Sequence, residues 1–178
     1  DTVGYWLASN KQPDTRFGAN LYMPRSINRV DGYQNLISDY IESSTLTDPS
    51  DPLSLATLTQ TWIANAKTYQ TTYNQSTRTW VSTSPAGRKS TTKINAKGDV
   101  VSDQYASFVP YRYSYDLDGR VSEITQGTAR IATLSYNTEG YLSSITNPLN
   151  QTTLFGYDLA GRVVSQTLPD SRVVLFGY

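Results

Sequence analysis

The stretch YDLDGRV, at Tyr115–Val121, returns as YNTEGYL at Tyr136–Leu142 and as YDLAGRV at Tyr157–Val163, and another tyrosine follows at Tyr178. The interval is 21 residues each time. Counting back in the same frame reaches Ile94 in INAKGDV and Tyr73 in YNQSTRT, so five units start at 73, 94, 115, 136 and 157. Four residues after the anchor stand Gly98, Gly119, Gly140 and Gly161, with Thr77 in the first unit; twelve after it stand Pro85, Pro148 and Pro169, with Ala106 and Gly127 in the remaining two. Two markers in one frame define a repeat, and a fixed period of this length signals stacked supersecondary units.

Each marker has a backbone reason. In Asp116-Leu117-Asp118-Gly119 the Asp side chain can accept hydrogen bonds from N–H groups of its own turn, and Gly supplies the positive φ that ends a type I turn with a G1 bulge. Asp158–Gly161 has the same form, with Asn137 and Asn95 replacing Asp in their units. The prolines set a second turn, because proline holds φ and cannot donate to a ladder. A unit therefore reads strand, turn, strand, turn. Before the anchors, Ala132, Leu134 and Tyr136 alternate onto one face, as do Thr153, Phe155 and Tyr157, and Val174, Phe176 and Tyr178. That alternation predicts tyrosine packed on tyrosine between units. After the glycine, Val121 and Ile124, like Leu142 and Ile145, are three apart, which requires either a bulge or cover on both faces.

Composition agrees with an all-β fold: 14 Tyr, 11 Gly and 8 Pro, with many Thr, Ser and Val. It also removes function classes. With no Cys and no His, there is no thiolate nucleophile, imidazole base, disulfide frame or ordinary zinc site. A formal charge of zero leaves no electrostatic footprint for nucleic acid, and no apolar run is long enough to span a membrane as a helix. The chain of 178 residues does not begin with Met and has no signal-like segment, which reads as an excised or processed piece.

The phrase Tyr-Asp-x-x-Gly-Arg, carried by Tyr115, Asp116, Gly119 and Arg120 and by Tyr157, Asp158, Gly161 and Arg162, resembles the YD (RHS) repeat of bacterial Rhs polymorphic toxins, wall-associated proteins, insecticidal toxin-complex C components and teneurins. TSPAGRKSTT at Thr83–Thr92 is similar to the interior of bacterial members. The resemblance implies tandem antiparallel β-hairpins in a curved, spiralling sheet, a segment of a larger β-shell that encloses a toxic C-terminal domain. It implies a secreted or cell-surface bacterial protein, no catalytic activity and no cofactor. Ten strands about 4.8 Å apart make roughly 50 Å of sheet, about half of what would encircle a domain of 100 residues. The expected partners are thus neighbouring repeats of the parent chain or other copies paired at an edge strand, and an encapsulated toxin domain.

Residues 1–72 are expected to be divergent hairpins with a Pro/Asp-rich loop near 47–54, TDPSDPLS. VDGYQNL at Val30–Leu36 suggests one hairpin, and the runs on either side of Asn65-Ala66 another. NLISDYIES at Asn35–Ser43 fits a strand, with a short helix as the alternative.

Three sharper readings compete with turn and core roles. Asp116, Asp118 and Asp158 could line a calcium array, but one or two carboxylates per turn fall short of the six to eight oxygens calcium needs. Asp118 and Glu139 could act as a hydrolytic carboxylate pair, yet nothing in the sequence marks a pocket between them. Trp6, Trp62 and Trp80, with Tyr5, could form a sugar-stacking platform, and a cell-surface carbohydrate-binding or adhesion module is the alternative function. Arg88, Arg120 and Arg162 are expected over tyrosine rings or beside carboxylates.

Overall fold

The computed structural model describes residues 6–14, 16–31 and 34–178, and the side chains of residues 13–14, 16–17 and 38–178. It contains strands and turns, with no helix among the described residues, and hence none long and apolar enough to cross a membrane. The chain divides into two compact units, Asp1–Val100 with Gln104–Ser107, and Val101–Asp103 with Phe108–Tyr178. The first holds β1 (Trp6–Asp14), β2 (Gly18–Asp31), β3 (Gln34–Leu46), β4 (Leu55–Ala64), β5 (Lys67–Asn74), β6 (Thr79–Thr83) and β7 (Lys89–Ile94). β8 (Val100–Tyr105) contributes residues to both units. The second holds β9 (Tyr111–Tyr115), β10 (Val121–Gln126), β11 (Arg130–Tyr136), β12 (Leu142–Thr146), β13 (Thr152–Tyr157), β14 (Val163–Thr167) and β15 (Val173–Leu175). Within each unit, strand order in the sheet is strand order in the chain and the pairings are antiparallel. The all-β hairpin architecture expected from the repeat is the one observed.

The odd three-residue spacing resolves as a bulge. Tyr115 pairs with Val121 and Ser114 with Glu123, leaving Ser122 extra; Tyr136 pairs with Leu142 and Ser135 with Ser144, leaving Ser143; Tyr157 pairs with Val163 and Gly156 with Ser165, leaving Val164. An extra residue reverses the alternation after it, so Val121 and Ile124 both join the face of Tyr113 and Tyr115. Each unit thereby keeps one apolar face despite a sequence that seems to break it.

In the first unit of the fold, Asn35–Ser43 lies in β3 as a strand, and 47–54 is the loop between β3 and β4. Asp48 and Asp51 organise that loop by accepting from the N–H groups of Ser50 (2.9 Å) and Leu53 (2.8 Å). β2 and β3 pair up to Asp31 and Gln34, while Gly32 and Tyr33 of the VDGYQNL hairpin lie outside the described residues, as does Tyr5. β4 and β5 form the hairpin expected around Asn65-Ala66, both of which have positive φ, 49° and 63°. That is the type I′ geometry, for which the second position favours Gly. Ala66→Gly should therefore stabilise the chain by about 0.5–1 kcal/mol, as the left-handed strain of alanine exceeds the entropy that glycine adds to the unfolded chain. An unchanged or lower denaturation midpoint would contradict the turn assignment.

Few side chains are deeply buried. Leu58 and Tyr73, at 7% exposure, are the buried hydrophobic residues among those described, and no described side chain is fully enclosed. Cohesion therefore comes from cross-strand pairs along the sheet, such as Tyr73 against Trp80, with ring centroids 4.6 Å apart. β15 is shorter than the run Val173–Tyr178 suggests. Its last paired residue, Leu175, meets Ser165 where β14 bulges, and beyond it the Phe176 N–H reaches the Val164 carbonyl at 3.0 Å.

Candidate functional site

The recurring site is the turn that opens each unit together with the tyrosine that closes it. At Asp116 the backbone N–H donates to the Arg120 carbonyl (2.9 Å), and the Gly119 N–H donates to the Asp116 carbonyl (3.1 Å). The Asp116 side chain accepts from the N–H groups of Asp118 (3.0 Å) and Arg120 (2.9 Å). Asp158 does the same for Ala160 and Arg162, both at 2.9 Å, Asn95 for Lys97 and Asp99, and Asn137 for Tyr141. Gly98, Gly119, Gly140 and Gly161 have φ between 77° and 95°, as the turn requires. In the unit at 73 the positive φ falls one residue later, on Arg78 (50°), which is why Thr77 occupies the glycine place without strain.

The proline turns share this form. Asn147 accepts from Leu149 and Gln151, Pro148 follows it, and Asn150 takes φ 59°; Pro169 leads to Ser171 at 69°, and Pro85 to Gly87 at 74°. Where proline is missing, Ala106 (49°) and Gly127 (70°) are themselves left-handed. The two series are alternative chemistries for turning at the same place.

At Tyr136, Tyr157 and Tyr178 the ring lies under the residue that follows the glycine of the preceding unit, and the expected packing of tyrosine on tyrosine between units is found where that residue is Tyr141. The Arg120 guanidinium sits 4.4 Å from the Tyr136 ring centroid, and that of Arg162 sits 4.8 Å from Tyr178. Tyr141 takes the arginine's place over Tyr157, stacked at 4.9 Å. Each hydroxyl then donates to a carbonyl of the preceding unit: Tyr136 to Val121 (2.8 Å), Tyr157 to Leu142 (2.8 Å) and Tyr178 to Val163 (3.0 Å). The accepting residue is the one just before the bulge, where the ladder is disturbed and a carbonyl needs a partner. Ring, cation and hydroxyl together clamp one unit to the next. The arginines pair with carboxylates as well, Arg120 with Asp116 and Asp118 (2.8 and 2.7 Å) and Arg162 with Asp158 (2.7 Å).

Both members of the Asp118 and Glu139 pair have neighbouring partners. Asp118 is held by Arg120, and Glu139 accepts from the Thr138 hydroxyl at 2.8 Å. No group of three or more acids among the described residues is arranged to hold a metal ion. Among the described residues the buried acids, Asp14 and Glu42, were not singled out by the repeat. Glu42 accepts from Tyr40 (2.9 Å) and Gln60 (3.0 Å), and burial, followed by that acceptor, pushes the Tyr40 hydroxyl up to about 12. Of the tryptophans, Trp80 packs on buried Tyr73, and Trp62 is about half exposed, stacked on Tyr69 at 5.3 Å. Trp6 begins β1, and its side chain lies outside the described residues.

The turns are expected to make the fold acid-sensitive. The Arg120 N–H in its grip holds the Asp116 carboxyl below the ordinary carboxylate range, and the Arg162 N–H does so for Asp158, with the guanidinium groups adding to both. A depressed folded pKa contributes stability above the unfolded value, near pH 4, and that contribution is lost as the pH falls through the folded value. Asn137 performs the same turn without a charge. The double variant Asp116→Asn, Asp158→Asn should thus show a smaller drop in urea midpoint between pH 7 and pH 3 than the wild type; an identical drop would remove these two acids as the cause.

An ordered ladder of hairpins, clamped unit to unit by tyrosine, is the hallmark of a repeat-built structural sheet. The chain matches the teneurin YD-shell family over residues 15–178, all but the first 14, and it belongs to that family. Membership carries a structural shell role and a place outside the cell or at its surface. A search of curated proteins found no match.

Proposed function

We propose that this chain is a non-catalytic wall segment of a larger YD-repeat shell, in a secreted or surface-exposed bacterial protein whose shell encloses a toxic domain. In this reading the array of five units begins at Tyr73, after a divergent region over 1–72, and the partners are neighbouring repeats or further copies. No cofactor takes part. The supporting observation is that the units at 115, 136 and 157 are each closed by the tyrosine that follows them. The unit starting at 157 is closed by Tyr178, whose ring and hydroxyl engage Arg162 and Val163. A part whose repeats finish one another suits a continuous wall.

The test is at the edge. Among the described residues β15 pairs only with β14, and Val173, Val174, Leu175 and Phe176 are exposed. An apolar, unpaired edge recruits other strands. The 178-residue chain should therefore associate in sedimentation at micromolar concentration, and Val174→Lys with Phe176→Lys should return it to monomer with the strand signal of circular dichroism retained. A clean monomer of the unaltered chain at high micromolar concentration would count against continuation of the wall at β15. Turnover by the purified chain, lost on replacing Asp118 or Glu139, would overturn the non-catalytic reading. For the enclosure, any domain that the parent gene encodes beyond Tyr178 should resist protease until the shell is unfolded.

A further inference from the structure

Ahead of the repeat, two strands carry acids into the interior. Asp14 ends β1 at 3% exposure and Glu42 lies in β3 at 5%, so both are more deeply buried than Leu58 and Tyr73. Acidic side chains are seldom enclosed unless they are paired or ligate a cation.

Each carboxylate is only half used. At Asp14, Oδ1 accepts from the N–H groups of Arg16 (2.7 Å) and Phe17 (3.1 Å), and the Arg16 Nε stands 3.7 Å from that same oxygen. At Glu42, Oε2 accepts from the Tyr40 hydroxyl (2.9 Å) and from Nε2 of Gln60 (3.0 Å), its cross-strand partner on β4. The other two oxygens, Asp14 Oδ2 and Glu42 Oε1, are shut off from solvent and have no hydrogen-bond partner among the described residues. The turn acids differ, since Asp116 and Asp158 use both of their oxygens. Tyr40 and Glu42, two apart on β3, share a face. Burial, then the hydrogen bond and charge of Glu42, then the charge of Asp14, raise the Tyr40 hydroxyl, so one phenol lies in the field of both carboxylates. Two like charges with open buried oxygens, beside a single guanidinium, leave an uncompensated negative charge out of reach of water.

We propose that Asp14 and Glu42 form a calcium site that ties β1 to β3, with Oδ2 and Oε1 as the charged ligands and neutral oxygens completing the shell. Calcium suits acids held from two strands by other bonds, whereas magnesium demands near-ideal octahedral geometry and keeps its waters. The chain has no thiolate or imidazole to favour a softer metal. Only two charged ligands place the site with the weak extracellular ones, at a Kd of about 0.1–1 mM. Both acids belong to the unit of the fold that precedes the tyrosine clamps, so the site is independent of the wall reading.

The experiment uses the 178-residue chain, freed of metal with EDTA and titrated with calcium chloride or magnesium chloride at constant ionic strength, followed by calorimetry and by the urea midpoint. Calcium should bind saturably and raise the midpoint, because a ligand held only by the folded chain stabilises it. Magnesium should bind at least about tenfold more weakly. Glu42→Gln and Asp14→Asn keep the occupied oxygen and put an amide N–H2 in place of the open one, so the existing hydrogen bonds survive and either variant can carry the test. Each should weaken calcium by about tenfold or more. Glu139→Gln, at an exposed acid in the other unit, should bind calcium as the unaltered chain does. No saturable binding at millimolar calcium, equal affinity for magnesium, or unchanged binding by the folded Glu42→Gln or Asp14→Asn variant would each overturn the proposal.

Discussion

Gly161→Val is expected to destabilise the chain by about 3 kcal/mol and Gly119→Val by about half as much, although the two glycines hold the same place in the repeat. Both have positive φ, 77° and 82°, where an L side chain costs roughly 1–2 kcal/mol and a β-branched one sits worst. The difference lies above the turn. A Cβ on Gly119 meets nothing within 4 Å, whereas on Gly161 it would stand 2.7 Å from Cζ of Tyr141. That ring cannot swing aside freely, because it is stacked on Tyr157, a contact of roughly 0.5–1.5 kcal/mol. Urea denaturation of the two variants measures the gap, and a Tyr141→Ala background should close most of it, as coupled sites are non-additive. Equal losses at the two positions in the wild-type background would mean that Tyr141 does not hold Gly161.

The second large effect belongs to the clamp itself. Tyr157→Ala removes the ring under Tyr141 and the hydroxyl on the Leu142 carbonyl, and should cost about 3 kcal/mol, near the lower end for loss of a large aromatic. Tyr157→Phe keeps the ring and loses only the hydrogen bond, for about 1 kcal/mol. Tyr111, 45% exposed at the start of β9, is the control, and its alanine variant should stay within about 0.5 kcal/mol. If Tyr157→Ala and Tyr111→Ala behaved alike, the anchor tyrosines would be surface residues that happen to repeat.

The parts legible in the chain of letters are those whose causes are local. Asp116, Gly119 and their counterparts close hydrogen bonds within a window of five residues, so the turn is written where it occurs. The bulge left a trace as well, in the spacing of Val121 and Ile124, but the spacing alone fitted two explanations. Register chose between them, because only the pairing of Ser114 with Glu123 shows Ser122 to be extra. Arg120 illustrates the same limit. Both of its expected partners, ring and carboxylate, are present, yet nothing in the letters says that the ring is Tyr136 of the next unit.

By itself, then, the sequence determined the all-β class, the 21-residue hairpin period and the place of each glycine turn, since backbone φ and side chain to backbone bonds act over a few residues. Tertiary structure decided which tyrosine lies under which arginine, why Gly161 is more confined than Gly119, and that Asp14 and Glu42, acids of different strands, both act on Tyr40. Relations such as Arg120 with Tyr136 and Tyr141 with Gly161 join residues 16 and 20 apart through strand register, and a shift of register by one residue would send every side chain to the other face.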